Sequence, residues 1–235
     1  MTTRIDHGLS SGELVTSYTD FLIVCIHTIL YSRNLYPRAA FITARKYNSP
    51  VHQCRHPAVC LWIRDAVSAC SENFYSLAVS GSEKNLMQRI ALVILGPDAI
   101  TPLERVVFDI SSFPAQNFTV SRSDLEEQFR ACVMKLSSLQ SLLDPLPDDC
   151  TFTLTVELVS DSQPGKESGN SSSSTSSSAE TPAPVALDLT GSNLWIPAAQ
   201  QPNEQTSPQV RSRPVSHVTM DSLQFDLWVE EAFKN

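Results

Sequence analysis

The chain has 235 residues, 42% of them hydrophobic, and a formal net charge of −8 at pH 7, which suits one domain of typical size with a real core. That charge argues against a surface that holds nucleic acid by neutralising phosphate, so any role on DNA would run through partners. Six cysteines with no CxxC pair, and no basic-then-apolar leader, point to a soluble protein of a reducing, intracellular compartment.

Ser11 and Gly12 precede a helical pattern from about Glu13 to Arg33. Tyr18, Phe21, Leu22, Cys25, Ile26, Ile29 and Leu30 fall at i, i+3, i+4, i+7 spacing, and Val15, Ile23 and Val24 widen the stripe. A helix apolar on most sides is a central one. Its apolar run Phe21 to Leu30 is interrupted by His27 and is too short to span a bilayer. Pro37 closes the segment. Ala40 to Tyr47 reads as a short strand or extended arm. Pro57 suits the first turn of a second helix, expected to run to about Cys70 with Val59, Trp62, Ile63, Ala66, Val67 and Cys70 as its stripe. Residues 71 to 85 read as a polar connection.

Two strands follow, Arg89 to Leu95 and Leu103 to Ile110, joined across the turn residues Gly96-Pro97-Asp98 as an antiparallel hairpin. A third helix opens at Ser123, three residues before Glu126, in capping-box spacing. Its stripe is Leu125, Phe129, Cys132, Val133, Leu136 and Leu143, and Asp144-Pro145 and Pro147 stop it. Thr151 to Val159 is a strand with Phe152, Leu154, Val156 and Leu158 on one face. Ser160 to Pro184 is a serine-rich loop. Val185 to Leu189 suits a short strand, and an apolar island Leu194-Trp195-Ile196-Pro197 follows. Residues 198 to 217 show no strong pattern. From Leu223 the alternation of Phe225, Leu227 and Val229 with Gln224, Asp226 and Trp228 is that of a half-buried strand. A solvated tail would be poor in such groups, so the chain returns to the body. Three helices and five or six strands, with helices between strand groups, make an α+β protein with a mainly antiparallel sheet.

Nothing in the sequence has the spacing of a catalytic centre. There is no GxGxxG, Walker loop or HExxH. Cys54, His56 and Cys60 offer soft metal ligands, but zinc sites show a second ligand group, which only Cys150 or a distant histidine could supply. A cysteine-dependent enzyme is the reading from another class, and no Cys/His spacing supports it. The expectation is a non-enzyme without metal or cofactor.

The order helix, arm, helix, hairpin, helix, strand and long returning tail resembles the HORMA domain. The strings that carry the likeness are Ile29-Leu30-Tyr31-Ser32-Arg33, Leu35-Tyr36-Pro37, Lys46-Tyr47-Asn48-Ser49-Pro50-Val51, His56-Pro57, Arg130-Ala131 and Cys150-Thr151-Phe152-Thr153. The tail adds Trp195-Ile196 and Val229-Glu230-Glu231. The likeness runs nearly continuously over 13 to 159 and in patches over 193 to 231. It is closest to the branch of the family that serves DNA polymerase zeta as an accessory subunit. The serine loop looks like an insertion in that pattern.

The resemblance implies one HORMA domain: a core over 1–159, the low-complexity loop over 160–184, and a C-terminal safety belt over 185–235 that returns to the core. It implies a nuclear, non-catalytic adaptor. Such a protein clamps a proline-containing motif of the catalytic subunit of DNA polymerase zeta and bridges translesion synthesis factors, without direct contact to nucleic acid or membrane. The alternative within the family is a spindle-assembly-checkpoint protein that binds a different closure motif. By resemblance, Trp62 and the belt residue Trp195 pack on the peptide's proline, with Tyr36 beside them. Trp62 lies on the stripe of the second helix, which suits a core residue equally, and Tyr36 next to Pro37 suits a structural one. Arg130, five residues from Leu125, projects away from the apolar stripe. It is either a solvated charge or, by resemblance, part of the surface that pairs two HORMA domains as a homodimer or heterodimer. Trp228, with Leu227, matches the strand that docks the scaffold translesion polymerase. Asp226 stands there in place of the family's amide.

Overall fold

In a computed structural model of the chain, residues 8–80, 87–112, 120–158, 210–220 and 223–232 are described, with backbone alone over 72–80. Helix α1 spans Ser11–Ser32, starting two residues before the expected Glu13, with Ser10 as its cap. Ser10 N–H donates to Glu13 Oε2 at 3.0 Å and Glu13 N–H donates to Ser10 Oγ at 3.4 Å, a capping box that satisfies two orphan donors. By length and composition alone α1 could cross a membrane, yet it is mostly buried inside the protein. Phe21, Cys25, Ile29 and Leu30 are fully buried, as expected of a central helix.

An arm follows α1. Strands β1 (Phe41–Lys46) and β2 (Ser49–Cys54) form an antiparallel pair in which Lys46 opposes Ser49. The two loop residues, Tyr47 and Asn48, both have positive φ, 51° and 54°. A two-residue hairpin loop of the primed type needs that conformation at both positions. The sequence hides β2 because Pro50 sits inside it, at an arm edge where a lost donor is tolerated. Cys54 N–H donates to His27 Nδ1 at 3.3 Å and ties the arm to α1, while burial pushes the His27 imidazole below its ordinary value.

Helix α2 runs over Pro57–Ser80. It continues well past Cys70, so the polar connection expected from residue 71 onward is helix for most of its length. Polar residues after Cys70 lower the apolar periodicity without breaking a helix. Strands β3 (Met87–Leu95) and β4 (Pro102–Asp109) pair antiparallel as expected. Helix α3 spans Arg122–Ser137 and is capped by Ser121, whose side chain accepts from Asp124 N–H. Ser123 is already inside the helix, so the Ser123–Glu126 capping box does not form. The helix also stops before Asp144. A 3-10 turn, Leu139–Ser141, carries the chain onward, and Leu139 and Leu143 are buried from there.

Strand β5 covers Thr151–Leu158, β6 Val210–Met220 and β7 Leu223–Ala232. Strand β6 falls largely in the stretch that shows no sequence pattern. Only Val218 is buried in it, so it carries no apolar alternation to read. Among the described residues, β3, β4, β5, β6 and β7 form one antiparallel sheet in the order β5-β3-β4-β7-β6. The short strand expected over Val185 to Leu189, the island around Trp195 and the serine run lie outside the described residues.

One face of the sheet carries Ile90, Leu92, Val106, Phe108, Leu154, Phe225, Leu227 and Val229, all buried. Helices α1 and α3 close over it through aromatic rings. Phe21 of α1 stacks on Phe129 of α3 at 4.1 Å and 10°, and Tyr18 meets Phe225 of β7 edge to face at 5.5 Å. Phe108 of β4 approaches Phe21 at 6.5 Å. The C-terminal strand therefore contributes a ring to the centre of the core, where such pairs each add about 1 kcal/mol beyond buried area.

Candidate functional site

A five-stranded open sheet has two edges, and here they differ in kind. Strand β6 carries Pro214, a register shift between Pro214 and Ser216, and two arginines, exposed Arg211 and half-buried Arg213. Proline, bulges and charge are the devices that stop an edge from pairing with another chain. Strand β5 reads Thr-Phe-Thr-Leu-Thr-Val-Glu-Leu, without proline, glycine, lysine or arginine. Its one charge, Glu157, is held on the sheet by Arg89 at 3.1 Å and by Arg105. Although burial alone would raise it, those two guanidiniums keep the Glu157 carboxyl below its ordinary value. Among the described residues nothing pairs with the outer side of β5. Its 8 residues offer an edge of roughly 26 Å for a strand to add to.

Aromatic rings stand beside that edge. Phe152 meets Trp62 of α2 edge to face at 5.1 Å and 89°, and meets Tyr36 at 6.4 Å and 84°. Trp62 is 41% exposed and its neighbour Leu61 is 52% exposed, while Ile63 and Val67 of the same helix are buried. Trp62 is therefore not a core residue, although it shares their helical stripe. Tyr36 is half-buried, and burial pushes its phenol up, with a smaller push from Cys54. Leu158 at the far end of β5 is 46% exposed. The site joins an unpaired backbone edge to a frame of three rings, Tyr36, Trp62 and Phe152. Flat apolar rings around a backbone edge suit a proline in an extended peptide, whose ring is fixed and which costs little entropy to order. Trp195, the other tryptophan expected there, lies outside the described residues.

On the face of the sheet away from α1 and α3, Trp228 packs on buried Ala91, Val93 and Val107. Its Nε1–H donates to Glu230 at 2.8 Å, and the Arg89 guanidinium lies 5.5 Å from its ring centroid. Arg89 also pairs with Asp109 at 3.0 Å, and Arg105 with Glu230 at 3.1 Å. Leu227 does not join this surface. It is 1% exposed, sits opposite Phe108 and faces the helices, so it cannot present a side chain to a docking partner. The alternation that turns Trp228 outward turns Leu227 inward. Arg130 lies on the solvated side of α3 and pairs with Glu127 at 3.3 Å.

One polar cluster was not anticipated. Arg33 ends α1 and donates to both oxygens of Glu104, at 3.0 and 2.6 Å, and to the Asp144 carbonyl at 2.6 Å. The two side chains are 2% and 6% exposed. Glu231 opposes Glu104 across β7 and accepts from Arg213 Nε at 2.7 Å. The sequence did carry a mark of this: Glu104 shares its strand parity with Val106 and Phe108, and Glu231 shares that of Leu227 and Val229. A charge on an inward position needs a buried partner. Burial pushes the Glu104 carboxyl up, against the opposing pull of Arg33.

At Cys54 and Cys60 the chemistry is local. The Cys60 thiol donates to the Cys54 carbonyl at 3.0 Å. Among the described residues no group of three or more His, Cys, Asp or Glu side chains is gathered to hold a metal ion.

Comparison with known proteins adds relatives, one over nearly the full length and one over two thirds of it. The chain is 30% identical over 234 residues to the mitotic spindle assembly checkpoint protein MAD2B of Gallus gallus, covering 98% of this chain and 97% of that one. It is 34% identical over 155 residues to the DNA polymerase zeta processivity subunit of Arabidopsis thaliana, covering 66% and 68%. The fold is similar to a chain of the mitotic checkpoint complex, with a TM-score of 0.61 at 16% identity over 94% of this chain and 99% of that one. It is also similar to C. elegans HTP-2 bound to a HIM-3 closure motif, at 0.60 and 12% over 94% and 91%. No family model matches the chain.

Proposed function

Since the chain belongs to the HORMA family of MAD2B proteins and DNA polymerase zeta processivity subunits, we propose that it is an adaptor that clamps a proline-containing peptide along β5. The observation that carries this is the unblunted β5 edge beside the rings of Tyr36, Trp62 and Phe152. The peptide adds a sixth strand to the sheet, its main chain bonding to β5 and its proline lying against the rings. The likeness to proteins named DNA polymerase zeta processivity subunits supports the catalytic subunit of that polymerase as the proposed partner.

The safety belt over 185–235, with Trp195 as its anchor on the peptide, is part of the same proposal. A strap over a bound strand slows its release, because the ligand leaves only when the belt locally opens. The adaptor performs no chemistry of its own and works in the nucleus. Trp228, within its frame of Arg89 and Glu230, is the contact for the scaffold translesion polymerase, and Arg130 belongs to the surface that pairs two HORMA domains. The checkpoint name borne by the MAD2B relatives favours a second reading, capture of a checkpoint closure motif through the same edge.

Two immobilised peptides test both readings, one carrying the polymerase zeta proline motif and one a checkpoint closure motif. Retention of the full chain by the first, weakened in Trp195→Ala, is expected. Preference for the second peptide moves the protein to the checkpoint reading, and undiminished retention of Trp195→Ala removes the belt anchor.

A further inference from the structure

Beside the ring frame, at the start of β5, lies a cleft of about 300 Å³. Its apolar walls are Leu35, Pro145, Leu146 and Pro147. Arg33 contributes to the lining, but its charge is taken up by Glu104 and its side chain is 2% exposed. Asp148 and Asp149 give the cleft an acidic rim, both exposed and, among the described residues, both without a hydrogen-bond or ion-pair partner.

The cleft is continuous with the docking edge along the chain on both sides. Leu35 precedes Tyr36, and Cys150, which also lines the cleft, is two residues before Phe152. At about 3.3 Å per residue, a strand lying along β5 reaches the cleft within two to four positions of the residue on the rings. The thiol of Cys150 senses the local field. Burial pushes it up first, and Glu104, Asp148 and Asp149 push it further against the single opposing pull of Arg33.

We infer that this cleft is a second subsite of the docking edge and takes a lysine or arginine of the bound peptide, on one flank of its proline. An apolar wall with an acidic rim fits such a side chain in both its parts. The methylene stem lies on Leu35, Leu146 and the two prolines, and the cationic head reaches Asp148 and Asp149 in water. A fully aliphatic side chain would leave the carboxylates unpaired, and an acidic one would face two like charges. This inference rests on the β5 docking reading and adds to it a sequence preference that the rings alone do not supply.

The test uses the full chain and fluorescent peptides of about 12 residues, long enough to cover the edge and both flanks. Each has one central proline among threonine and valine, with lysine, norleucine or glutamate placed in turn at each of the positions two to four residues from it. The expected result is about fivefold tighter binding of lysine than norleucine on one flank only, the size of a favourable exposed pair. In the double variant Asp148→Asn, Asp149→Asn that preference disappears while the norleucine peptide binds as before. Equal binding of lysine and norleucine at every position overturns the subsite and leaves the docking edge standing. So does a lysine preference that survives the double variant, or one equal on both flanks, since general attraction to an acidic chain would give that. Failure of every peptide to bind removes the docking edge, and the subsite with it.

Discussion

Trp62 on α2 and Phe152 on β5 meet edge to face, 5.1 Å apart with their planes at 89°. The contact holds a half-exposed indole at the border of a strand edge that is unpaired among the described residues. Truncation should therefore weaken a bound ligand far more than it weakens the fold. Trp62→Ala is expected to lose about 2 kcal/mol of peptide affinity, roughly 30-fold, as central aromatic anchors do. Its thermal midpoint should fall by no more than a few degrees. Fluorescence polarisation with a proline peptide and a melting curve check the two halves. An unchanged affinity would take Trp62 out of the site.

Neighbours in β7 should behave in opposite ways. Leu227 is 1% exposed between Phe108 and the helices, so Leu227→Ala leaves a cavity and should cost about 2–5 kcal/mol of stability. Trp228 is only partly buried, on the other face, and its loss removes contacts with Arg89 and Glu230. Trp228→Ala should remain folded, with a smaller loss read by denaturant titration, and should lose binding to a scaffold-polymerase domain in a pull-down. A folded Trp228→Ala that still binds that domain would place its docking elsewhere.

The parts legible in the sequence are those whose side chains repeat. The stripe of α1 comes through because apolar side chains at helical spacing line most of a central helix, and the alternation of β7 because one of its faces is buried against the helices. Strands β2 and β6 are hidden by Pro50 and Pro214, which are tolerated only because those strands border solvent. The end of α2 is hidden because the polar stretch Ser71-Glu72-Asn73 interrupts its apolar stripe after Cys70. Trp62 shares a helical stripe with Ile63, and periodicity cannot tell that the stripe runs past the edge of the core. That β5 is an edge at all depends on the strand order β5-β3-β4-β7-β6, a non-local fact that no local pattern contains. Leu227 is the opposite case, since its parity with Phe225 and Val229 already placed it inward, against a docking role.

Arg130 occupies the solvated side of α3 with Glu127 as its ion-pair neighbour. An exposed i, i+3 pair contributes a few tenths of a kcal/mol at most, so Arg130→Ala should leave the melting temperature within experimental error. If this face pairs two HORMA domains, the same change should move the protein from dimer to monomer in light scattering. A dimer that survives Arg130→Ala would be assembled through another surface.

The Arg33–Glu104 pair gives a prediction whose sign is fixed by burial. Arg33→Met keeps the aliphatic stem and removes the charge, leaving Glu104 buried without a cation. Breaking a buried pair from one side costs about 3–5 kcal/mol. Glu104 already has its carboxyl raised above the ordinary value of 4.5, first by desolvation, with Arg33 holding it down. Without Arg33 it rises further. A carboxyl with a higher pKa folded than unfolded binds more protons in the native state, so its stability contribution is complete below about 4.5 and is lost as pH rises through the folded value. The deficit of Arg33→Met against the wild type should be largest near neutral pH and should shrink as the pH falls toward about 5. Taking the difference between the two proteins cancels the opposite trend of Glu157, whose lowered carboxyl they share. Urea titrations of both proteins across that range check it. A deficit that stays flat with pH would mean that the loss lies in the Asp144 carbonyl contact and packing rather than in the stranded carboxylate.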